Sequence, residues 1–202
     1  IALHDIAARK TGLPLWKWLG GRSGSVRVYA SLGRADDVRP TVERGLARGY
    51  SAVKLRSSGA IPDHGAAVRP VRALVGDACE LMLDVNSSWD AEAAIATIGE
   101  LREDRLAWLE EPIPAENVEA YRRITESTST PICAGENHYL AQGFRPLLEA
   151  GAVDIVMPDL QKAGGLGEGQ RIANLANLYY VPFAPHMVAS YLGAMASAHV
   201  CA

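Results

Sequence analysis

Residues 81–84 read Leu-Met-Leu-Asp, residues 107–110 read Ala-Trp-Leu-Glu and residues 132–136 read Ile-Cys-Ala-Gly-Glu. Each stretch is a short apolar run that leads to a carboxylate, and Asp84, Glu110 and Glu136 lie 26 residues apart. That interval is about one strand, one helix and two loops, so we expect a carboxylate at the same rim of a barrel three times in succession. Three carboxylates at one rim would form a site for a hard divalent cation such as Mg²⁺.

Seven apolar runs alternate with stretches of helical composition along the chain. The predicted strands are Val26 to Ser31, Ala52 to Leu55, Leu81 to Leu83, Ala107 to Leu109, Ile132 to Ala134, Ile155 to Met157 and Val181 to Ala184. A final helix is predicted near Ala189 to Val200. Regular alternation without a dinucleotide-binding fingerprint favours a TIM-like (β/α)-barrel over a doubly wound sheet. About seven βα units are predicted, so the eighth strand of a closed barrel is missing.

The amino-acid composition is typical of a globular protein and argues against nucleic-acid-binding and membrane-spanning classes. The 202 residues suffice for one sizeable core, and 49% apolar and 21% charged residues are ordinary for a globular protein. The formal net charge of −3 offers no basic surface for nucleic acid. No apolar run approaches the roughly 18 residues of a membrane span, and three cysteines without CxxC spacing indicate neither disulfides nor zinc. We therefore expect a cytoplasmic protein without nucleic-acid or membrane partners.

Polar residues end the predicted strands, where a barrel carries its active site. They are Lys54, Arg56, Asp84, Asn86, Glu110, Glu136, Asn137, Asp159 and His186. Because side chains alternate along a strand, Lys54 and Arg56 should share one face, as should Asp84 and Asn86. A single acid after a strand can equally be a helix N-cap, and Glu111 is better explained as a loop or capping residue than as a ligand.

Several segments of the chain, taken in order, resemble the enolase superfamily, specifically its mandelate racemase-like group. The matching segments are residues 3–10, 19–21, 53–56, 82–86, 108–112, 134–137, 157–165 and 185–186. The resemblance implies that residues 1–21 form a helix leading from an N-terminal capping domain into the barrel, and that residues 22–202 are a barrel domain incomplete at its C-terminal end. It also implies assembly into dimers or octamers.

The resemblance further implies roles for individual residues. Asp84, Glu110 and Glu136 would bind Mg²⁺, and His186 with Asp159 would form a general-base dyad. Lys54 would place positive charge near a substrate carboxylate. The candidate substrate contacts are Asn86, Asn137 and Lys162. Muconate lactonizing relatives carry a catalytic Lys where Asp159 stands, so the chain resembles the mandelate racemase side of the superfamily.

Arg56 departs from the family pattern, which has a second Lys at this position as a base. Arginine stays protonated and is a poor proton acceptor, so two-base racemisation is disfavoured. The leading hypothesis is dehydration of a sugar acid to a 2-keto-3-deoxy acid, with His186 as the base. An alternative is a racemase or epimerase of a 2-hydroxy acid that recruits Lys54 as second base. A hypothesis of another class is a non-catalytic fragment, because the eighth strand and the capping domain are missing.

Overall fold

The computed structural model describes residues 1–32, 38–57, 64–188 and 190–202. Its strands are β1 Ala30–Ser31, β2 Ala52–Arg56, β3 Glu80–Asp84, β4 Trp108–Glu110, β5 Ile132–Ala134 and β6 Ile155–Val156. Its helices are α1 Ala2–Thr11, α2 Leu15–Trp18, α3 Arg39–Ala47, α4 His64–Val75, α5 Ala91–Glu100, α6 Val118–Glu126, α7 Leu140–Glu149, α8 Leu166–Leu178 and α9 Tyr191–Cys201, with a 3₁₀ turn at Arg102–Asp104. Within the described ranges, no helix is long and apolar enough to cross a membrane.

Strands β1 to β5 pair in parallel and follow one another in sequence order in the sheet. Strands β2, β3 and β5 are buried along nearly their whole length, as expected for parallel strands that are covered on both faces. The predicted α/β architecture of alternating strands and helices is confirmed.

Two of the predicted strands differ from the structure by more than one residue at an end. Of the run that starts at Val26, only Ala30 and Ser31 pair with β2. The seventh run, Val181 to Ala184, was predicted as a strand, and this is wrong. In the described part of the chain the run forms one isolated bridge, at Phe183, and a second isolated bridge follows it at His186. Ala184 N donates to Val156 O and His186 N donates to Pro158 O, each at 3.0 Å, so the N–H that Pro182 lacks lies on the same side of the run and the ladder cannot extend there.

The chain divides into two compact units. Unit 1 comprises Ile1–Arg27, Ala134–Glu149 and Ile155–Ala202, and unit 2 comprises Val28–Cys133 and Ala150–Asp154. Unit 1 has a core of buried side chains from α1, α2, α8, α9 and the turn after β6, namely Ala8, Leu15, Leu160, Leu166 and Ala196. The division at residues 21 and 22 drawn from the sequence stays a prediction.

The terminal helices agree with the sequence pattern. Helix α1 ends at Thr11, where Gly12 adopts a left-handed conformation with φ 70° that a glycine C-cap readily takes. Helix α9 covers Tyr191–Cys201 and begins after Ser190, whose side chain accepts a hydrogen bond from Gly193 N. Ala189, the predicted start of this helix, lies outside the described residues.

In unit 2, Arg72 binds the backbone at the N-terminal ends of β3 and β4. Its guanidinium donates to the carbonyl oxygens of Gly76 at 3.0 Å, Cys79 at 2.8 Å, Asp104 at 2.9 Å and Arg105 at 3.0 Å. These four carbonyls belong to the segments that lead into the two strands. One side chain thus fixes both strands at the end opposite the predicted active-site rim.

Candidate active site

Strand register brings three of the predicted site residues together in unit 2. Arg56 pairs with Asp84, and Asp84 pairs with Glu110, each of them the last residue of its strand. Lys54 pairs with Met82, which lies two residues before Asp84 and therefore on the same face of the sheet. The side chains of Lys54, Asp84 and Glu110 consequently meet at the carboxyl end of adjacent strands.

The ammonium of Lys54 contacts both carboxylates. Its Nζ lies 2.5 Å from Oε1 of Glu110 and 3.5 Å from Oδ2 of Asp84, and no side chain of the three is more than 5% exposed. Burial alone would lower the pKa of Lys54, but Glu110, Tyr29 and Asp84 together outweigh it, so the pKa is raised. Lys54 is therefore a permanent positive charge in this arrangement, and a poor base.

Two aromatic residues complete this cluster, and the sequence interpretation missed both. Nε1 of Trp108 donates to Oε2 of Glu110 at 3.1 Å, and the ring of Tyr29 lies 5.5 Å from Nζ of Lys54. The two rings contact each other edge to face at 5.4 Å. Burial raises the pKa of Tyr29 to about 12, so its hydroxyl stays protonated. The position of Trp108 could have been inferred from the sequence, because a residue two before Glu110 on the same strand points to the same face of the sheet.

The backbone changes direction sharply after β3 and β4. Asn86 and Ser87 have φ of 49° and 56°, and Glu111 has φ of 46°. Asp84 and Asn86 were expected on one face of a strand. The alternation of side chains that supports this expectation ends with the strand at Asp84, so it does not extend to Asn86. Glu111 occupies a loop position as predicted, but it is fully buried, which its place beside Pro112 did not indicate.

Unit 1 contains the predicted pair of His186 and Asp159. The residues form an isolated parallel bridge, and Nδ1 of His186 lies 3.0 Å from Oδ2 of Asp159. The other oxygen of Asp159 accepts a hydrogen bond from the backbone of Gln161 at 2.9 Å. Asp159 is 1% exposed, so its carboxylate is held in one orientation from two sides.

Glu136 also contacts the imidazole, a relationship that the sequence did not indicate. Its Oε2 lies 2.9 Å from Nε2 of His186. The backbone leading to Glu136 is tightly constrained, since Gly135 has φ 141° and a Cβ there would lie 2.6 Å from Cε1 of Phe144. His186 thus stands between two carboxylates, one at each ring nitrogen.

The remaining predicted residues lie around these clusters. Arg56 is half-buried, and within the described residues its Nε is a buried donor without a hydrogen-bond acceptor. Asn137 and Lys162 are exposed. His138 is half-buried, with its ring 5.6 Å from that of Phe144. Contact of Asn86, Asn137 or Lys162 with a substrate stays a prediction.

The chemistry of the carboxylates fits Mg²⁺, which takes oxygen ligands. Asp84 and Glu110 place two buried carboxylates against one ammonium, and burial raises the pKa of Glu110 against the opposing effect of Lys54. A divalent cation would stabilise the ionised carboxylates. In the described ranges no three or more His, Cys, Asp or Glu side chains are arranged to hold an ion. Lys54 and His186 contact the carboxylate oxygens instead, and the predicted three-carboxylate site stays a prediction.

The chain is similar in sequence to a known protein family and to curated proteins. A family model described as "Enolase C-terminal domain-like" matches residues 37–202. The D-xylonate dehydratase of Haloferax volcanii is 38% identical over 225 residues, which include 100% of this chain and 55% of that protein. The chain therefore spans about half the length of this curated relative.

Solved structures are similar over nearly the whole chain. A mandelate racemase/muconate lactonizing enzyme-like protein from Rubrobacter xylanophilus matches with a TM-score of 0.89 and 38% identity, covering 99% of this chain and 60% of that one. An enolase from Bradyrhizobium in complex with magnesium and mandelic acid matches with a TM-score of 0.88 and 34% identity, covering 98% of this chain and 55% of that one. The chain therefore belongs to the enolase superfamily, and residues 37–202 match its C-terminal domain.

Proposed function

We propose that the protein containing this chain is a Mg²⁺-dependent dehydratase of sugar acids. The reaction begins with removal of the proton on the carbon next to the substrate carboxylate. The observation that carries the proposal is the 3.0 Å contact between His186 Nδ1 and Asp159 Oδ2. It provides a histidine base whose orientation is fixed by a buried carboxylate.

Asp159 determines which nitrogen of His186 can act as the base. Nδ1–H donates to Oδ2 of Asp159, so the lone pair of the neutral ring lies on Nε2 once Nε2 no longer contacts Glu136. When Nε2 takes up a proton, the negative charge of Asp159 stabilises the imidazolium. His186 is thereby suited to accept a proton near neutral pH.

The contact of Glu136 with Nε2 of His186 must open before the base can reach a substrate. The family resemblance assigns Glu136 to a metal ion, as it does Asp84 and Glu110, and a Glu136 carboxylate held by a cation would leave Nε2 of His186 available. Mg²⁺ bound by these carboxylates would act as a Lewis acid that stabilises the negative charge developing on the substrate carboxylate. Glu136 would then control both the metal site and the availability of His186.

The overall reaction balances without an oxidant or reductant. Nε2 of His186 removes the proton from C2, a double bond forms between C2 and C3, and the bond from C3 to its hydroxyl oxygen breaks. The hydroxyl leaves as water with a proton from the His186 imidazolium. The resulting enol tautomerises to a 2-keto-3-deoxy acid.

Lys54 and Arg56 supply positive charge and no second base. Lys54 is held as an ammonium by Glu110, and an arginine does not release its proton. Both would attract the carboxylate of a substrate. The name of the D-xylonate dehydratase relative supports a sugar acid as the substrate class.

The test is an assay of the purified protein with Mg²⁺ against a panel of aldonates and aldarates. The expected product is a 2-keto-3-deoxy acid, and its absence with every panel member would count against the proposal. His186→Asn should abolish turnover. His199 is also half-buried but lies in α9, and His199→Asn should leave turnover intact. A His186→Asn protein as active as the parent would refute the catalytic assignment.

Racemisation of a 2-hydroxy acid is the second candidate, and the Bradyrhizobium relative that binds mandelic acid favours it. It would require Lys54 to act as a base on the opposite face of the substrate. Incorporation of deuterium from D₂O into both stereoisomers would support this candidate. Incorporation into one stereoisomer only would favour the dehydratase.

Assembly and location are part of the same proposal. The family resemblance supports a homo-oligomer in the cytoplasm that binds a small carboxylate. Light scattering of the purified protein would measure the number of subunits, and a monomer would contradict the oligomer.

A further inference from the structure

In unit 2, three left-handed residues that are not glycine occur at the ends of two neighbouring strands. Asn86 and Ser87 follow β3, and Glu111 follows β4 directly. Such conformations are unfavourable for residues with a Cβ and persist where surrounding contacts fix them. Asn tolerates the left-handed region, but Ser and Glu have no such preference. The contacts between these residues therefore have to hold the two turns in place.

Glu111 contacts the turn after β3 through both its backbone and its side chain. Its carbonyl oxygen accepts a hydrogen bond from Ser87 N at 2.6 Å, and its Oε2 accepts one from Ser87 Oγ at 3.2 Å. On the other side, Glu111 N donates to the carbonyl oxygen of Cys133 in β5 at 2.9 Å. Glu111 thus connects the ends of β3, β4 and β5.

The same turn fixes the orientation of Asp84. Asn86 N donates to Oδ1 of Asp84 at 3.0 Å, and Asn86 is itself left-handed with φ 49°. Ser87, the next residue, is the one that Glu111 binds. A path of direct hydrogen bonds and adjacent residues therefore runs from Glu111 through Ser87 and Asn86 to the Asp84 carboxylate.

We propose that Glu111 is a positioning residue that orients Asp84 for metal binding through the Asn86–Ser87 turn. A buried carboxylate is costly unless its oxygens are bonded, and Glu111 has no exposed surface. Through its contacts with Ser87, Glu111 fixes the turn after β3, which a loop residue without such contacts would not do. The inference rests on the proposed role of Asp84 as a metal ligand.

The experiment measures binding of Mn²⁺, a paramagnetic substitute for Mg²⁺, by electron paramagnetic resonance without substrate. Glu111→Ala should weaken binding about tenfold, as loss of outer contacts to a ligand commonly does. Glu111→Gln retains an oxygen acceptor for Ser87 Oγ, so its affinity should stay close to that of the parent. Glu116→Gln, an exposed glutamate in the same loop, is the matched control and should have no effect.

Ser87→Ala removes the same hydrogen bond from its other end and serves if Glu111→Ala does not fold. It should also weaken Mn²⁺ binding, and the double variant should bind no more weakly than the weaker single variant, since one path is cut twice. Parental affinity in folded Glu111→Ala, or additive effects in the double variant, would overturn the inference. Rescue by Gln separates hydrogen-bond positioning from a contribution of charge.

Asp84→Asn distinguishes failure of this inference from failure of the proposed function. If Asp84→Asn leaves Mn²⁺ binding unchanged, the ligand assignment itself is wrong, and the inference falls with it. If Asp84→Asn abolishes binding while folded Glu111→Ala binds like the parent, the ligand assignment stands and the positioning role of Glu111 is refuted.

Discussion

Nζ of Lys54 lies 2.5 Å from Oε1 of Glu110, and neither side chain is more than 5% exposed. The pair is buried at the rim where Asp84 also ends its strand. A buried ion pair contributes little compared with an apolar replacement, but removal of one partner leaves the other as an uncompensated charge.

Lys54→Met is therefore expected to lower the free energy of unfolding by about 3 kcal/mol, because Asp84 and Glu110 would lose their shared cation. Added Mg²⁺ should restore part of this loss if the two carboxylates bind it. Urea unfolding with and without Mg²⁺ measures both effects. Lys10→Met, a change to an exposed lysine in α1, is the control and should shift neither value. Equal stability of Lys54→Met and the parent would contradict the importance of the pair.

Asp159→Asn is expected to slow exchange of the substrate α-hydrogen by at least about a hundredfold, with a much smaller change in KM. The amide would donate toward Nδ1 of His186, so the ring proton would move to Nε2 and the base would be lost. Deuterium incorporation followed by NMR measures the exchange rate. Asp77→Asn, which changes an exposed aspartate, should exchange like the parent. Retention of exchange in Asp159→Asn would remove the dyad from the mechanism.

Gly135→Ala is expected to lower the free energy of unfolding by about 2 kcal/mol. The new Cβ would lie 2.6 Å from Cε1 of Phe144 and 3.0 Å from Met157 N, at a φ that alanine rarely adopts. The next residue is Glu136, so metal affinity should fall as well. Gly99→Ala in α5 meets no atom within 4 Å and should instead stabilise the helix by about 0.5 kcal/mol. Thermal unfolding of both variants gives the comparison, and a stabilised Gly135→Ala would be the adverse result.

Glu168 should make stability depend on pH in the acid range. The backbone amide of Ala141 donates to its Oε2 at 2.9 Å, and this bond, together with the Arg171 ion pair, lowers the pKa of Glu168. A lowered pKa in the folded state means that the stabilisation is present above the unfolded value and is lost as the pH falls through the folded one. The parent should therefore exceed Glu168→Gln in stability at pH 7, by about 1 kcal/mol or less, and this difference should shrink toward pH 4.

Urea unfolding at pH 7, 5 and 4 tests this expectation. Glu100→Gln alters an exposed glutamate at the end of α5 and should show no such pH trend relative to the parent. A difference between the parent and Glu168→Gln that grows as the pH falls would have the wrong sign and would exclude the proposed cause.

The sequence predicted those parts of the fold that depend on local pattern. Short apolar runs predicted β2 to β6 to within two residues, because buried parallel strands need apolar side chains on both faces. The position of Asp84 and Glu110 at strand ends followed from the same pattern. Asp159 and His186 form a backbone bridge, and their role as a general-base dyad stays a prediction from the family resemblance.

Other features depend on contacts between distant residues, which a single sequence does not contain. The burial of Glu111 requires Ser87, 24 residues earlier, to lie against it. The Glu136 contact with His186 joins residues of different segments in unit 1. The seventh run, which is not a continuous strand, had a local signal in Pro182, and the sequence interpretation rested on its apolar composition instead.

The four carbonyl contacts of Arg72 have a consequence for how such a protein can change over evolution. They secure the entry to β3 and β4 from the end opposite Asp84 and Glu110. A substitution near Asp84 or Glu110 leaves these contacts at the strand entries unchanged, because they lie at the other end of the strands. The loss of a partner in the Lys54 cluster would still cost stability, but sequence change at the proposed site would leave the support from Arg72 intact.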